Sequence, residues 1–248
     1  MAVAVITGVS RRIGIGAAVA RRLAEAGWDL FLHSWSPHDA EQPWGADPEG
    51  AAAIVADLRT RVRVEHLVAD LADPDAPAQL VAAAEGAYGL VDALVANHAR
   101  SSVATLEELT AAELDFTYAV NTRATLLLVK EFAARCPGPG RVVLMTSGQH
   151  RGPMPGELPY IASKGALHQV TASLAAHLAP RGITVNAVDP GATDTGYADA
   201  AAHAAVLALE PMGRWGEPDD AARLIAWLAS DAGRWVTGQV LVSNGGGP

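Results

Sequence analysis

The sequence predicts a doubly wound α/β fold: one parallel, seven-stranded sheet with helices on both faces. Two observations carry that expectation. Short apolar runs alternate with longer stretches of helical period along the 248 residues. The runs are continuous Val, Ile and Leu without polar alternation, as in strands covered on both faces. In order, the expected strands are Val3–Ile6, Leu30–His33, Val62–Val68, Ala93–Ala96, Val142–Thr146, Thr184–Val188 and Gln239–Val242. The expected helices are Ala17–Ala26, Glu49–Arg61, Asp75–Ala87, Ala111–Arg135, Pro159–Ala179 and Asp219–Asp231. Gly27, Gly89 and Gly182 fall where a helix should stop before the next strand.

Two stretches fit neither period. Ser34–Pro48, with two Pro and two Trp, reads as a long loop after the second strand. Ala-rich Thr193–Trp215 reads as a mobile lid before the last helix. No linker-like shift divides residues 1–248, so one domain is expected.

Composition narrows the function classes. A formal charge of −9 disfavours a nucleic-acid or anionic-membrane partner, because both need a basic face. No run approaches the roughly 20 apolar residues of a membrane helix, and the chain opens directly on a strand, so a cytoplasmic location is expected. The single cysteine, Cys136, precedes a Pro-Gly loop and reads as a bystander thiol. His33, His66, His168, His177 and His203 show no metal-ligand spacing, and no metal is expected.

Thr7-Gly8 closes the first strand, and Gly14-Ile15-Gly16 opens the first helix. A pyrophosphate needs backbone without Cβ obstruction, set on a helix N-terminus whose free N–H groups favour an anion. The same glycines also suit a tight turn with no ligand. Further on, Ser147 ends the fifth strand, Tyr160 follows thirteen residues later, and Lys164 lies four beyond it. An i,i+4 pair shares one helix face, and an ammonium beside a phenol lowers its pKa from about 10. A hydroxyl at Ser147 can then stabilise a developing oxyanion.

Together these motifs resemble the short-chain dehydrogenase/reductase family, in its Tyr-x-x-x-Lys branch, and more closely its 3-oxoacyl-carrier-protein-reductase-like members. The resemblance implies a Rossmann-type domain that moves hydride between NADP(H) or NAD(H) and a carbonyl or secondary alcohol. It covers nearly the whole chain, because Gly213–Pro218 and Val236–Gln239 also match the family's C-terminal region. Asn121, Ser147, Tyr160 and Lys164 resemble the family's catalytic tetrad, with Asn121 at a local helix irregularity. Three residues between Tyr and Lys speak against the enoyl-reductase branch, whose spacing is longer. The family usually has three residues between Thr-Gly and Gly-x-Gly; here Val9–Ile13 makes five, an insertion carrying Arg11 and Arg12.

The cofactor contacts that the resemblance implies are Gly8, Ser10, Arg11, Arg12, Gly14, Ile15, Ser34, Trp35, Asp70, Leu71, Asn97, Tyr160, Lys164, Pro190, Gly191, Thr193 and Thr195. An acidic residue ending the second strand would favour NAD by bonding its 2′-hydroxyl. That position, near Ser34, is neutral, so NADP is favoured, with Arg11 or Arg12 for the 2′-phosphate; both arginines equally suit a solvated loop. His98, Gln149, His150 and Met154, along with Glu157, would face a small carbonyl or alcohol substrate, either as polar lining or, for the histidines, as proton donors. A homotetramer is implied. The rival readings are an NAD-dependent alcohol dehydrogenase and a catalytically silent dinucleotide-binding regulator.

Overall fold

The computed structural model describes residues 1–247. Its strands are β1 (Val3–Ile6), β2 (Asp29–Ser34), β3 (Val64–Val68), β4 (Ala93–Ala96), β5 (Gly140–Met145), β6 (Ile183–Asp189) and β7 (Val240–Val242). All pair in parallel, in the order β3-β2-β1-β4-β5-β6-β7. The order reverses between β1 and β4, and such a switch point opens a crevice at the strands' carboxyl ends.

Nine α-helices connect the strands among the described residues: α1 (Ile15–Glu25), α2 (Pro37–Glu41), α3 (Gly50–Leu58), α4 (Ala76–Tyr88), α5 (Ala111–Tyr118), α6 (Ala124–Arg135), α7 (Leu158–Leu178), α8 (Ala200–Leu207) and α9 (Pro218–Ala229). A parallel sheet must be covered on both faces, and strand alternation divides the core accordingly. Val3 and Val5 pack with Leu80, Leu128 and Phe132 on one side. Ala4 and Ile6 pack with Leu23, Ile54 and Ile225 on the other. Small residues on α1 let it approach α9 closely, and Arg22 grips the Asp219 carboxylate at the start of α9 through two hydrogen bonds.

Three stretches depart from the sequence expectation. The Ser34–Pro48 segment contains α2, a one-turn helix opened by Pro37. The long helix read from the period over Ala111–Arg135 is broken by a π-helical turn, Ala119–Arg123, at the Asn121 irregularity that the resemblance implied. Within the segment read as a lid lies α8, which buries none of its residues.

Candidate active site

The glycine-rich turn is set by contacts that leave no room for a side chain. Gly8 has φ +73°, and a Cβ there would lie 2.7 Å from the His98 Cα. At Gly16 a Cβ would lie 2.6 Å from the Gly8 carbonyl oxygen. No side chain caps α1, whose N-cap is Gly14, so its first N–H groups are available to an anion. Asn97 fastens the turn to the end of β4, its amide donating to the carbonyls of Thr7 (3.0 Å) and Gly8 (3.1 Å).

Two buried histidines complete that fastening. His33 donates from Nε2 to the Ala69 carbonyl (2.9 Å) and accepts the Gly8 N–H at Nδ1 (3.3 Å). His98 donates from Nε2 to Val120 O (3.0 Å), which leaves Nδ1 to accept the Thr7 hydroxyl (2.7 Å). Burial lowers both pKa values, to about 4 for His33 and about 3 for His98, so both rings are neutral. This corrects the expectation for His98 as a proton donor, because both ring nitrogens are committed to the frame, although the residue borders the cleft along this turn.

A cleft of about 390 Å³ opens along this turn, with Gly8, Ser10, Arg11, Gly14, Ile15 and Gly16 on one wall. Trp35, Asp70, Leu71 and Asn97 line it further along, and Thr195 reaches it from the segment after β6. The two expected arginines separate. Arg11 lines the cleft and makes no ion pair among the described residues; its guanidinium lies 6.0 Å from the Trp44 ring centre. Arg12 turns outward and holds Asp47 through two hydrogen bonds of 2.9 Å, so its side chain is not a cleft contact. Ser34 is likewise corrected: it is buried, with its hydroxyl 2.8 Å from His66 Nε2 and away from the cleft. Pro190, Gly191 and Thr193 form a turn after β6, where the Thr193 hydroxyl donates to Pro190 O (3.0 Å); none of the three lines the cleft.

Deeper in the site, α7 presents Tyr160 and Lys164 one turn apart, opposite Ser147 at the end of β5. Lys164 is buried, donates to Met145 O (2.9 Å), and holds its ammonium 5.8 Å from the Tyr160 ring centre. Burial lowers the Lys164 pKa to about 8. The phenol behaves opposite to expectation. Burial raises the Tyr160 pKa, a hydrogen bond with Ser147 opposes this, and Glu157, Tyr197 and Asp189 add to the rise. Tyr160 is therefore held as a protonated phenol, suited to donating.

Asn121 sits in the π turn, and its side chain explains the irregularity. Its Oδ1 accepts the Arg100 N–H (2.7 Å), while Nδ2 donates to Arg100 O (3.0 Å) and Ser163 Oγ (2.9 Å). Ser163 lies beside Lys164 on α7, so the turn and the Tyr–Lys helix form one unit.

The expected substrate residues occupy the stretch between Ser147 and Tyr160. Gln149 donates to Thr146 Oγ1 (3.2 Å). His150 bonds Ser147 O through Nδ1 (3.2 Å) and packs edge-on against His168, with ring centres 4.7 Å apart. Met154 is half-buried on the same stretch. The segment read as a lid contributes Tyr197 and Trp215 to an aromatic row that Trp44 extends, a meeting with the Ser34–Pro48 stretch that sequence reasoning missed. Trp44 meets Tyr197 (6.3 Å), and Tyr197 meets Trp215 (6.0 Å), all edge-on. Among the described residues no three His, Cys, Asp or Glu side chains form a metal cluster.

A phosphate-accommodating cleft in the same fold as a Ser–Tyr–Lys centre defines a dinucleotide-dependent oxidoreductase. Comparison with known proteins agrees. The profile of the family described as "Enoyl-(Acyl carrier protein) reductase" matches residues 8–247. An uncharacterized oxidoreductase, YjdA, of Bacillus subtilis is 42% identical over 98% of this chain and 96% of its own. A short-chain dehydrogenase of Burkholderia cenocepacia solved with NADP is 36% identical, with a TM-score of 0.88 over 98% of this chain and 96% of that one. A metagenomic blue fluorescent protein solved with NADPH is 35% identical, with a TM-score of 0.89 over 99% and 97%. The chain belongs to the short-chain dehydrogenase/reductase family and is an NAD(P)-dependent oxidoreductase.

Proposed function

We propose that the chain is an NADPH-preferring reductase of aldehydes or ketones, a single catalytic domain that assembles as a cytoplasmic homotetramer. The observation that carries this is the grouping of Tyr160 and Lys164 one turn apart on α7, the Lys164 ammonium 5.8 Å from the phenol ring centre, with Ser147 after β5. When bound, the nicotinamide supplies the hydride. Tyr160 gives its proton to the substrate oxygen, and Ser147 orients that oxygen and stabilises its growing charge. Lys164 stabilises the phenolate left behind, and Asn121 keeps α7 in register with the π turn. The three-residue spacing from Tyr160 to Lys164 favours a carbonyl over an enoyl substrate.

For the cofactor, Arg11 offers an ion-pair-free guanidinium in the cleft, and two structural relatives were solved with NADP or NADPH. The NAD-dependent reading draws on Glu41, which lines the same cleft on α2. The test is oxidation of NADPH and NADH with a panel of aldehydes and ketones, for the parent and Tyr160→Phe. The parent should turn over faster with NADPH. The variant should keep cofactor affinity and lose about 100-fold or more in kcat. A parent that oxidises neither cofactor would favour the silent regulator, and undiminished Tyr160→Phe would refute the proton donor.

A further inference from the structure

We infer that Glu157 makes this site selective for carbonyl compounds that carry a hydrogen-bond donor, an ammonium or a hydroxyl, near the reacting carbon, and selective against anionic ones. The inference rests on the carbonyl-reductase reading and names its substrate class.

Glu157 is the N-cap of α7, three residues before Tyr160, so the two side chains leave the same side of the first turn. Its backbone is pinned. Ala104 donates to Gly156 O (2.8 Å), Leu158 donates to Ala104 O (3.1 Å), and Glu157 N donates to Met154 O (3.1 Å). The carboxylate itself is half-buried, yet it makes no hydrogen bond or ion pair among the described residues. Removing a carboxylate from water without a partner is costly, and burial raises its pKa. Its electrostatic neighbours are the phenols of Tyr160 and Tyr197.

The rest of the stretch repeats the pattern. Gln149 turns its NH₂ toward Thr146, whose hydroxyl donates onward to Lys164 O (3.2 Å), and Gln149 Oε1 is buried without a partner. His150 spends Nδ1 on Ser147 O. Arg151, the cation that would welcome an anionic substrate, is bound through Nε to buried Asp189 (3.0 Å) and through Nη1 to Gly247 O (3.2 Å). Lys164 is committed to Met145 O beneath Tyr160. The stretch between Ser147 and Tyr160 thus holds unsatisfied acceptors at Glu157 and Gln149 Oε1, while its arginine, Arg151, is ion-paired with Asp189. A donor on the substrate satisfies an acceptor, whereas a carboxylate or phosphate meets repulsion.

The test is kcat/KM with NADPH for four ketones of one skeleton, ending in ammonium, hydroxyl, methyl or carboxylate. The parent should favour the ammonium and hydroxyl ketones over the methyl ketone by about tenfold, with the carboxylate below all three. Glu157→Gln, near-isosteric and still an acceptor, should lower the ammonium-to-carboxylate ratio about tenfold while the hydroxyl ketone holds its lead over methyl. Equal parent turnover of the ammonium and carboxylate ketones, or an unchanged ratio in the variant, would overturn the selectivity alone. No turnover of any member, or of simple aldehydes, would overturn the carbonyl-reductase reading and this inference with it.

Discussion

Arg11 and Arg12 stand side by side in the sequence, yet the structure gives them different work. Asp47 takes Arg12, and a sequence separation of 35 residues hides that pairing from local reading. Arg11 is left to the cleft. Arg11→Ala should therefore weaken NADPH by about tenfold in Kd, the scale of one charge-assisted hydrogen bond, and barely change NADH; Arg12→Ala should change neither. Isothermal titration with both nucleotides checks this, and equal losses in the two variants would contradict it. The end of β2 teaches a related lesson. Successive strand residues face opposite ways, so a one-residue error exchanges cleft for sheet. Ser34 faces His66, because β2 and β3 pair Leu32 with His66 and Ser34 with Val68. Trp35 faces the cleft. The carboxylate that converts the enzyme to NADH thus belongs at 35: Trp35→Asp should raise the NADH-to-NADPH ratio of kcat/KM about tenfold, and Ser34→Asp should not.

Among the elements, those with a strong period were legible and those set by tertiary contact were not. All seven strands fall within two residues of their expected starts. The π turn left no mark in the periodicity, because Ala-Val-Asn-Thr-Arg contains neither Gly nor Pro; the family resemblance alone pointed to an irregularity at Asn121, whose three hydrogen bonds with Arg100 and Ser163 hold it. Helix α8 was missed because its Ala-rich sequence has no apolar stripe. Eight residues are too few for a stable isolated helix, and this one buries nothing. Its side-chain attachments among the described residues are the Asp199 cap and His203, which stacks on Trp215 at 4.8 Å and lies 3.7 Å from the Asp194 carboxylate. His203 also accepts the Trp215 indole N–H at its carbonyl (3.0 Å). Trp215→Ala should accordingly release α8 alone. Amide exchange over 200–207 should quicken at least tenfold while β1, β4 and β5 keep their protection. Unchanged exchange there would show that α8 is held by something else.

At the scale of the whole molecule, continuous apolar strands announced a sheet covered on both faces, and the two cores on either side of it match. Strand order and the buried polar frame were not legible, since both depend on which distant segments meet. Val103, Leu106, Phe116 and Tyr118, and separately Trp227 and Trp235, are large apolar residues that a monomer would leave exposed to water. Light scattering at micromolar concentration should give the mass of a tetramer. The buried frame has a further consequence, in acid. His33 and His98 lie 6.4 Å apart, both neutral, with folded pKa values of about 4 and about 3 against about 6.5 when unfolded. A histidine with a depressed folded pKa binds its proton first in the unfolded chain. Its stabilising effect is complete above pH 6.5 and is lost as pH falls toward the folded value. At pH 5 each should have lost about 2 kcal/mol, and the pair about 4 kcal/mol. Salt-bridged carboxylates such as Asp219, with a pKa lowered to about 2, remain ionised in both states over most of this window, so the histidines dominate it. Urea unfolding at pH 7.5, 6 and 5 should show this loss setting in below pH 6.5, with uptake approaching two protons. His98→Asn, which keeps a donor toward Val120, should roughly halve the slope. A parent whose stability is flat between pH 7 and 5 would mean that these rings can take a proton without breaking the frame around Thr7 and Gly8.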